Sequence, residues 1–145
     1  MNARDFLSLA RRLVTDPAEA AWRSAISRAY YAAFHVAREL LEDLRFQVPR
    51  TEQAHKYLAH RLSNCGVVQV QRAGSDLDAL RDLRNQADYD LRRPMAQKIV
   101  SARLQLAERI IQIFDAARLE PARSQITDTI KIYERDVLRE VTWHP

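Results

Sequence analysis

Glycine and cysteine are the residues that this sequence most clearly lacks: it has two glycines and one cysteine among 145 residues. Because tight turns commonly need glycine, this scarcity favours long helices joined by short connections. The single cysteine, Cys65, excludes a disulfide bond within the chain, so we expect a free, buried thiol in a reducing, cytoplasmic setting. No uncharged apolar run approaches the roughly 18 residues of a membrane span, and the charged N-terminus lacks an apolar signal segment. We therefore expect no membrane association.

Lysine is also scarce, and arginine takes its place. Lys56, Lys98 and Lys131 are the only lysines among 23 basic residues, which face 19 acidic ones and leave a net charge of +4. Arginine grips a phosphate with two parallel hydrogen bonds, which an ammonium group does not. The positive excess permits an anionic partner without requiring one, and a general compositional preference for arginine is the alternative explanation.

The rest of the composition is that of an ordered globular protein. Hydrophobic residues make up 47% and charged residues 29% of the chain, a mix that builds a core and argues against disorder. The length fits one domain. We assign residues 1–120 to a helical bundle and residues 121–145 to a C-terminal helical extension of the same domain.

Apolar residues recur at helical spacing along most of the chain. The second helix has a start signal in Asp16, Pro17 and Glu19, which form a capping-box pattern. Gly66 is the natural end of the third helix, and the weakly alternating VVQVQR segment after it is predicted as a loop or a short helix. The fold class is therefore all-α: an antiparallel up-and-down bundle of four to five helices with an extra C-terminal helix. The predicted helices cover about 3–14, 17–44, 51–64, 75–89 and 94–119, and one terminal helix or two short ones follow Pro121.

Two polar clusters interrupt the apolar pattern, one on each of two helices. In the second helix, Arg28, Tyr31 and His35 fall at positions i, i+3 and i+7, which places all three on one face. The apolar stripe through Tyr30 and Phe34 lies on the adjoining face. This helix therefore presents a guanidinium, a phenol and an imidazole along one line.

The fourth helix repeats this spacing with Arg81, Arg84 and Asp88. Tyr89 and Arg92 follow at its end. If the two helix faces meet, they form a basic cleft lined with aromatic rings, which suits a phosphate and a stacked base. The alternative is that Arg84 and Asp88 form only a surface ion pair at i, i+4.

None of the histidines predicts a metal site. His55 and His60 are five residues apart, so they do not share a helix face, and neither pairs with Cys65 at a ligand spacing. His35 is either a catalytic residue or a structural histidine. We expect neither a metal nor a cofactor.

Two sequence strings, with a third between them, carry a resemblance to a known family. SRAYYAAFH (27–35) and LRNQADYD (83–90), with TEQAHKYL (51–58) between them, resemble the HEPN superfamily over about residues 5–120. More narrowly, the chain looks like the small prokaryotic branch often encoded beside a minimal nucleotidyltransferase. The resemblance implies an α-helical bundle that forms a homodimer. It also implies a metal-independent endoribonuclease, often the toxin of a toxin–antitoxin pair.

The catalytic signature of the superfamily is an arginine followed closely by a histidine, and this sequence departs from it. By the resemblance, the motif arginine is Arg84, its polar neighbour is Asn85 and the aromatic position is Tyr89. The window in which the histidine would stand holds Tyr89, Asp90 and Leu91. An aspartate is a poor replacement, because at neutral pH it ordinarily starts without the proton that a general acid must give.

We therefore predict a nucleotide- or RNA-binding HEPN protein with a degenerate ribonuclease motif, paired with a nucleotidyltransferase in a toxin–antitoxin-like system. In some such pairs the transferase modifies a tyrosine near the motif, which makes Tyr89 the candidate acceptor. One alternative is an active endoribonuclease in which Arg84, Asp88 and His35 are catalytic, so enzyme activity stays open. Another is a helical adaptor for protein partners. The predicted ligand-binding residues are Arg28, Tyr31, Arg81, Asn85, Tyr89 and Arg92.

Overall fold

The structure, a computed structural model, describes residues 1–145 and is helical almost throughout. Six α-helices follow one another, and a π-helical turn extends the last of them. The all-α class and the additional C-terminal helix are therefore confirmed. The helices are α1 (Arg4–Leu13), α2 (Glu19–Asp43), α3 (Gln53–Leu62), α4 (Val68–Tyr89), α5 (Gln97–Ala116) and α6 (Ala122–Tyr133), and the π-helical turn is Glu134–Leu138.

The start of α2 differs from the predicted capping box. The Asp16 carboxylate accepts a hydrogen bond from the Ala18 amide at 2.9 Å, but its own amide donates to the carbonyl of Leu13. The Glu19 carboxylate does not turn back to that amide, because it accepts a bond from the Met95 amide at 3.0 Å. The capping box is therefore wrong: a long-range partner takes the glutamate that the local pattern needs.

The helix α4 begins at Val68, several residues before its predicted start. The VVQVQR segment is thus mostly the first turn of this helix rather than a separate loop or short helix. The physical reason is a buried stripe at helical spacing, through Val70, Ala73 and Leu77. Gly74 allows α4 to approach α3 closely, because a Cβ atom at that position would lie 2.8 Å from the Cβ of Leu62 on α3.

The chain forms two compact units, each built from separate stretches of sequence. The first unit contains residues 1–35 and 76–111, and the second contains residues 36–75 and 112–145. The helices α2, α4 and α5 each contribute residues to both units. Every residue of the predicted site belongs to the first unit, whose large buried side chains include Ile26, Tyr30, Leu80 and Ile110.

A buried polar network anchors the C-terminal segment within the second unit. The Nε atom of Arg61 donates to the Glu134 carboxylate at 2.7 Å, and these side chains are 3% and 0% exposed. Glu134 also accepts a bond from the Thr142 amide at 2.9 Å, and the Thr142 hydroxyl is hydrogen-bonded to the hydroxyl of Tyr57. Burial raises the pKa of Tyr57 to about 12. The tail beyond α6 is therefore tied to α3 by specific polar contacts.

Candidate functional site

Arg84 lies on α4 with its side chain almost completely covered. The residue is 8% exposed, and its Nη1 atom is 3.7 Å from the Asp88 carboxylate. Its guanidinium carbon lies 5.5 Å from the centre of the Tyr30 ring and 5.2 Å from that of Tyr31. The buried Nε atom has no hydrogen-bond partner. Arg84 is therefore not half of a surface ion pair, and its capacity to donate is only partly used.

Arg28, on α2, reaches the same tyrosine as Arg84. Its guanidinium carbon lies 5.4 Å from the centre of the Tyr31 ring and 5.0 Å from that of Phe6. Attraction to the electron-rich ring faces holds each cation in place. The two like charges near one ring also produce a positive potential that favours an anion. We call Phe6, Arg28, Tyr30, Tyr31 and Arg84 the Tyr31 cluster.

Asp88 joins the two helices at the edge of the Tyr31 cluster. The hydroxyl of Ser27 donates to its carboxylate at 3.4 Å, and Arg28 donates to that hydroxyl at 3.4 Å. These distances, like the 3.7 Å to Arg84, exceed the roughly 2.9 Å of a strong bond. The structure thus brings the two sequence clusters together, and the contacts that join them are long.

His35 is half-buried among aromatic rings. Its ring stacks on Phe6 with centroids 6.0 Å apart, meets Phe34 edge to face at 5.2 Å and lies 6.3 Å from Tyr31. His35 and Arg84 therefore contact the same tyrosine. The catalytic roles of Arg84, Asp88 and His35 stay predictions.

Arg81 and Asn85 are half-buried on α4. The Nε atom of Arg81 is buried without a hydrogen-bond partner. Burial raises the pKa of the neighbouring Tyr30 hydroxyl, and the charges of Arg81 and Arg84 partly offset that effect. The Tyr30 phenol therefore remains neutral beside the two guanidinium groups.

Tyr89 and Arg92 lie beyond the cluster, at and after the end of α4. Tyr89 is the last residue of the helix and is 78% exposed. Arg92 is exposed in the connection that leads to α5. Both side chains are accessible to a ligand or a partner protein, and their roles as binding residues stay predictions.

Arg23 is a polar residue of this region that the sequence analysis missed. It is 7% exposed, and its Nη1 atom donates to the carbonyls of Gln86, Ala87 and Asp90 at 3.3, 3.0 and 3.1 Å. The available signal was its place on α2: it precedes Ile26 and Tyr30 by three and seven residues, so it shares their buried face.

Three further findings concern the chain as a whole. No group of three or more histidine, cysteine, aspartate or glutamate side chains is placed to hold a metal ion. No helix combines the length and the apolar character that crossing a membrane requires. Cys65 is free and buried, and burial raises the pKa of its thiol, which disfavours the reactive thiolate.

A family model described as "HEPN domain" matches residues 1–117. The matched span contains the Tyr31 cluster and all other predicted site residues, and it ends one residue after α5. No curated protein and no solved structure was found to match the chain. Because the match covers well over half of the sequence, the chain belongs to the HEPN family.

Proposed function

We propose that this HEPN protein binds RNA or a nucleotide at the Tyr31 cluster, with the phosphate held by arginines of α2 and α4. The observation that carries the proposal is Arg84, which is 8% exposed and keeps a donor without a partner. Burying a guanidinium is costly unless its donors are satisfied. A phosphate oxygen at the Nη atoms of this guanidinium would supply a strong acceptor and the missing negative charge.

Arg28 and Arg81 supply the further positive charge that an RNA backbone requires. Arg28 is half-buried and contacts the Tyr31 ring at 5.4 Å, and Arg81 has a buried Nε atom without a partner. Asp88 is the one carboxylate in contact with Arg84, so the arginines outnumber it. Each guanidinium that contacts a phosphate releases a counterion, which makes the binding sensitive to salt.

Tyr89 and polar side chains near the end of α4 would contact the base and the sugar of the ligand. Tyr89 is 78% exposed, and an exposed phenol ring can stack on any base. Asn85 and Arg92 supply hydrogen-bond donors four residues before Tyr89 and three residues after it. A base can stack on Tyr89 only where it is not already stacked within a duplex. We therefore expect a preference for single strands over duplexes, with little dependence on sequence.

Binding without cleavage is the form of this proposal that the sequence favours. The family's catalytic histidine has no counterpart between Tyr89 and Leu91. Asp88 faces Arg84 and accepts a bond from Ser27. A carboxylate in this position offsets the charge of the guanidinium.

The test measures binding of a labelled single-stranded RNA, and of a nucleoside triphosphate, to the purified protein with EDTA present. We expect Arg84→Ala and Arg28→Ala each to weaken binding about tenfold at fixed ionic strength. Arg103→Ala, at an exposed arginine of α5, is the matched control and leaves the affinity unchanged.

Two other outcomes would replace the proposal. RNA cleavage by the wild type that disappears in Arg84→Ala would establish the endoribonuclease alternative. Absence of binding and of cleavage would leave the helical adaptor for protein partners.

The same proposal includes a partner for Tyr89, on the strength of the resemblance and of its exposed hydroxyl. A minimal nucleotidyltransferase would transfer a nucleotidyl group to the Tyr89 oxygen, releasing pyrophosphate and a proton, in a toxin–antitoxin-like pair of proteins. Incubation with such a transferase and ATP, followed by mass spectrometry, should show one added nucleotidyl group. Tyr89→Phe should abolish it, and modification that persists in Tyr89→Phe would exclude this residue.

We also propose a homodimer, which sedimentation of the purified protein tests.

A further inference from the structure

We infer that Arg23 is a positioning residue: its buried guanidinium, together with the Glu19 carboxylate, fixes the segment 86–95 and so presents Tyr89 and Arg92 to the ligand. This inference rests on the proposed function, because it states how binding residues outside the Tyr31 cluster are held. It concerns a residue that does not itself contact the ligand.

The local backbone supplies only part of the hydrogen bonding at the end of α4. The Asp90 amide donates to the Gln86 carbonyl at 3.0 Å and the Arg93 amide to the Asp90 carbonyl at 3.3 Å, whereas no backbone amide from outside the helix donates to the carbonyls of Ala87 and Arg93. The last carbonyls of a helix lack partners within the helix, and a glycine after the helix usually allows the chain to turn back and satisfy them. Here the residues that follow Tyr89 are Asp90, Leu91 and Arg92, with no glycine among them. A cation is also favoured at this end of a helix by the helix dipole.

Arg23 supplies additional donors from α2. Its Nη1 atom donates to the carbonyls of Gln86 and Ala87 in the last turn of α4 and to that of Asp90 just beyond it. Its Nη2 atom donates to the carbonyl of Arg93. One planar group thus joins the helix end to the loop, a geometry that needs the fork of an arginine.

Glu19 completes the arrangement from one turn earlier on α2. One carboxylate oxygen accepts a bond from Arg23 Nε at 3.2 Å, and the other accepts one from the Met95 amide at 3.0 Å. The bond from the Met95 amide and then the one from Arg23 lower the pKa of Glu19. Both ends of the segment are therefore held from one face of α2.

Two exposed side chains lie within the segment that is held in this way. Tyr89 is 78% exposed and Arg92 is exposed. Arg23 binds backbone carbonyls next to them, those of Asp90 and Arg93. Restraining a loop before binding reduces the conformational entropy lost when the ligand binds. Arg23 thus improves affinity through Tyr89 and Arg92.

The experiment compares the wild type with Arg23→Lys, which keeps the charge and loses the fork. Hydrogen exchange should become faster at the amides of Asp90, Arg93 and Met95, and the affinity for single-stranded RNA should fall about fivefold, a loss of about 1 kcal/mol. Glu19→Gln keeps an oxygen for the Met95 amide, so we expect a smaller effect at that amide. The matched control is Arg11→Lys, because Arg11 forms an exposed ion pair with Glu108 at 2.7 Å.

A double-mutant cycle against a variant that carries both Tyr89→Ala and Arg92→Ala separates positioning from general stability. If Arg23 acts through these two side chains, Arg23→Lys should cost little further affinity once both are removed. Additive losses, or unchanged exchange of the loop amides in Arg23→Lys, would overturn the inference. Failure of the wild type to bind RNA or nucleotide would instead refute the proposed function and the functional half of this inference, while the exchange measurement would still decide whether Arg23 holds the loop.

Discussion

The guanidinium carbon of Arg84 lies 5.2 Å from the centre of the Tyr31 ring, and the guanidinium of Arg28 approaches the same ring at 5.4 Å. Each cation is attracted to the ring, but the two cations repel each other. Only Asp88, at 3.7 Å from Arg84, offsets this charge directly. The site therefore carries an electrostatic cost that the proposed anionic ligand would reduce. We accordingly expect one substitution to have opposite effects on stability and on binding.

Arg84→Met should leave the free energy of unfolding unchanged or raise it, while it weakens RNA binding. Methionine retains the length of the side chain and removes a buried charge with an unsatisfied donor. The Asp88 carboxylate that remains is 32% exposed and can be solvated, so no buried carboxylate is left without its cation. Urea unfolding and RNA titration of the same variant test both effects. Arg103→Met, at an exposed position, should change neither quantity. A strongly destabilised Arg84→Met would mean that Arg84 is chiefly structural.

Arg61→Met should destabilise the protein far more than Arg11→Met. Both arginines form ion pairs at 2.7 Å, but the partners Arg61 and Glu134 are 3% and 0% exposed, whereas Arg11 and Glu108 are 50% and 44% exposed. Removing Arg61 leaves a buried carboxylate without its cation, which costs about 3 kcal/mol or more. An exposed pair contributes at most about 1 kcal/mol. Chemical unfolding of the two variants measures the difference, and equal losses would contradict it.

The sequence predicts those features of the fold and site that depend on short-range spacing. Helical periodicity indicates the six helices, and i, i+3 and i+7 spacing indicates that Arg28 and Tyr31 share a face, as do Arg81 and Arg84. Their meeting at Tyr31 required a further assumption, that the two faces pack together. The structure provides that contact.

The features that the sequence misses depend on partners distant along the chain. Glu19 does not form the predicted capping box, because its carboxylate accepts a hydrogen bond from the Met95 amide. The local sequence does not distinguish Arg23 from any other helical arginine, because its partners are backbone carbonyls about sixty to seventy residues away. The first turn of α4 alternates weakly like a strand, although Val70 also begins the stripe at helical spacing that is buried with Ala73 and Leu77. The local pattern leaves both structures open, and the burial of this stripe decides between them.

Gly74→Ala should destabilise the protein although alanine favours helices. In an open helix position the substitution gains about 1 kcal/mol. At Gly74 the new Cβ atom would lie 2.8 Å from the Cβ of Leu62, and relieving such a clash typically costs about 1–3 kcal/mol. We therefore expect a lower melting temperature. Ser75→Ala, at the next and exposed position of α4, should leave the melting temperature unchanged or slightly raised, and a more stable Gly74→Ala would disprove the close approach of α3 and α4.

Alkaline pH should destabilise the protein partly through Tyr57. Burial raises its pKa in the folded state to about 12, from an ordinary value of 10. The folded state therefore holds the phenolic proton more tightly, so this contribution is fully present below about pH 10 and is lost as the pH rises through about 12.

A rise of this size corresponds to about 2.7 kcal/mol at most, and the free energy of unfolding should fall accordingly between about pH 10 and about pH 12. Tyr57→Phe should be less stable at neutral pH, because it loses the bond to Thr142, but it should show a smaller alkaline decline. Part of the decline should remain, since burial also raises the pKa of Tyr30. Urea unfolding across this pH range, with Tyr89→Phe as a control at a tyrosine that is 78% exposed, measures the two slopes. An identical alkaline decline in the wild type and in Tyr57→Phe would show that the Tyr57 phenol has no part in it.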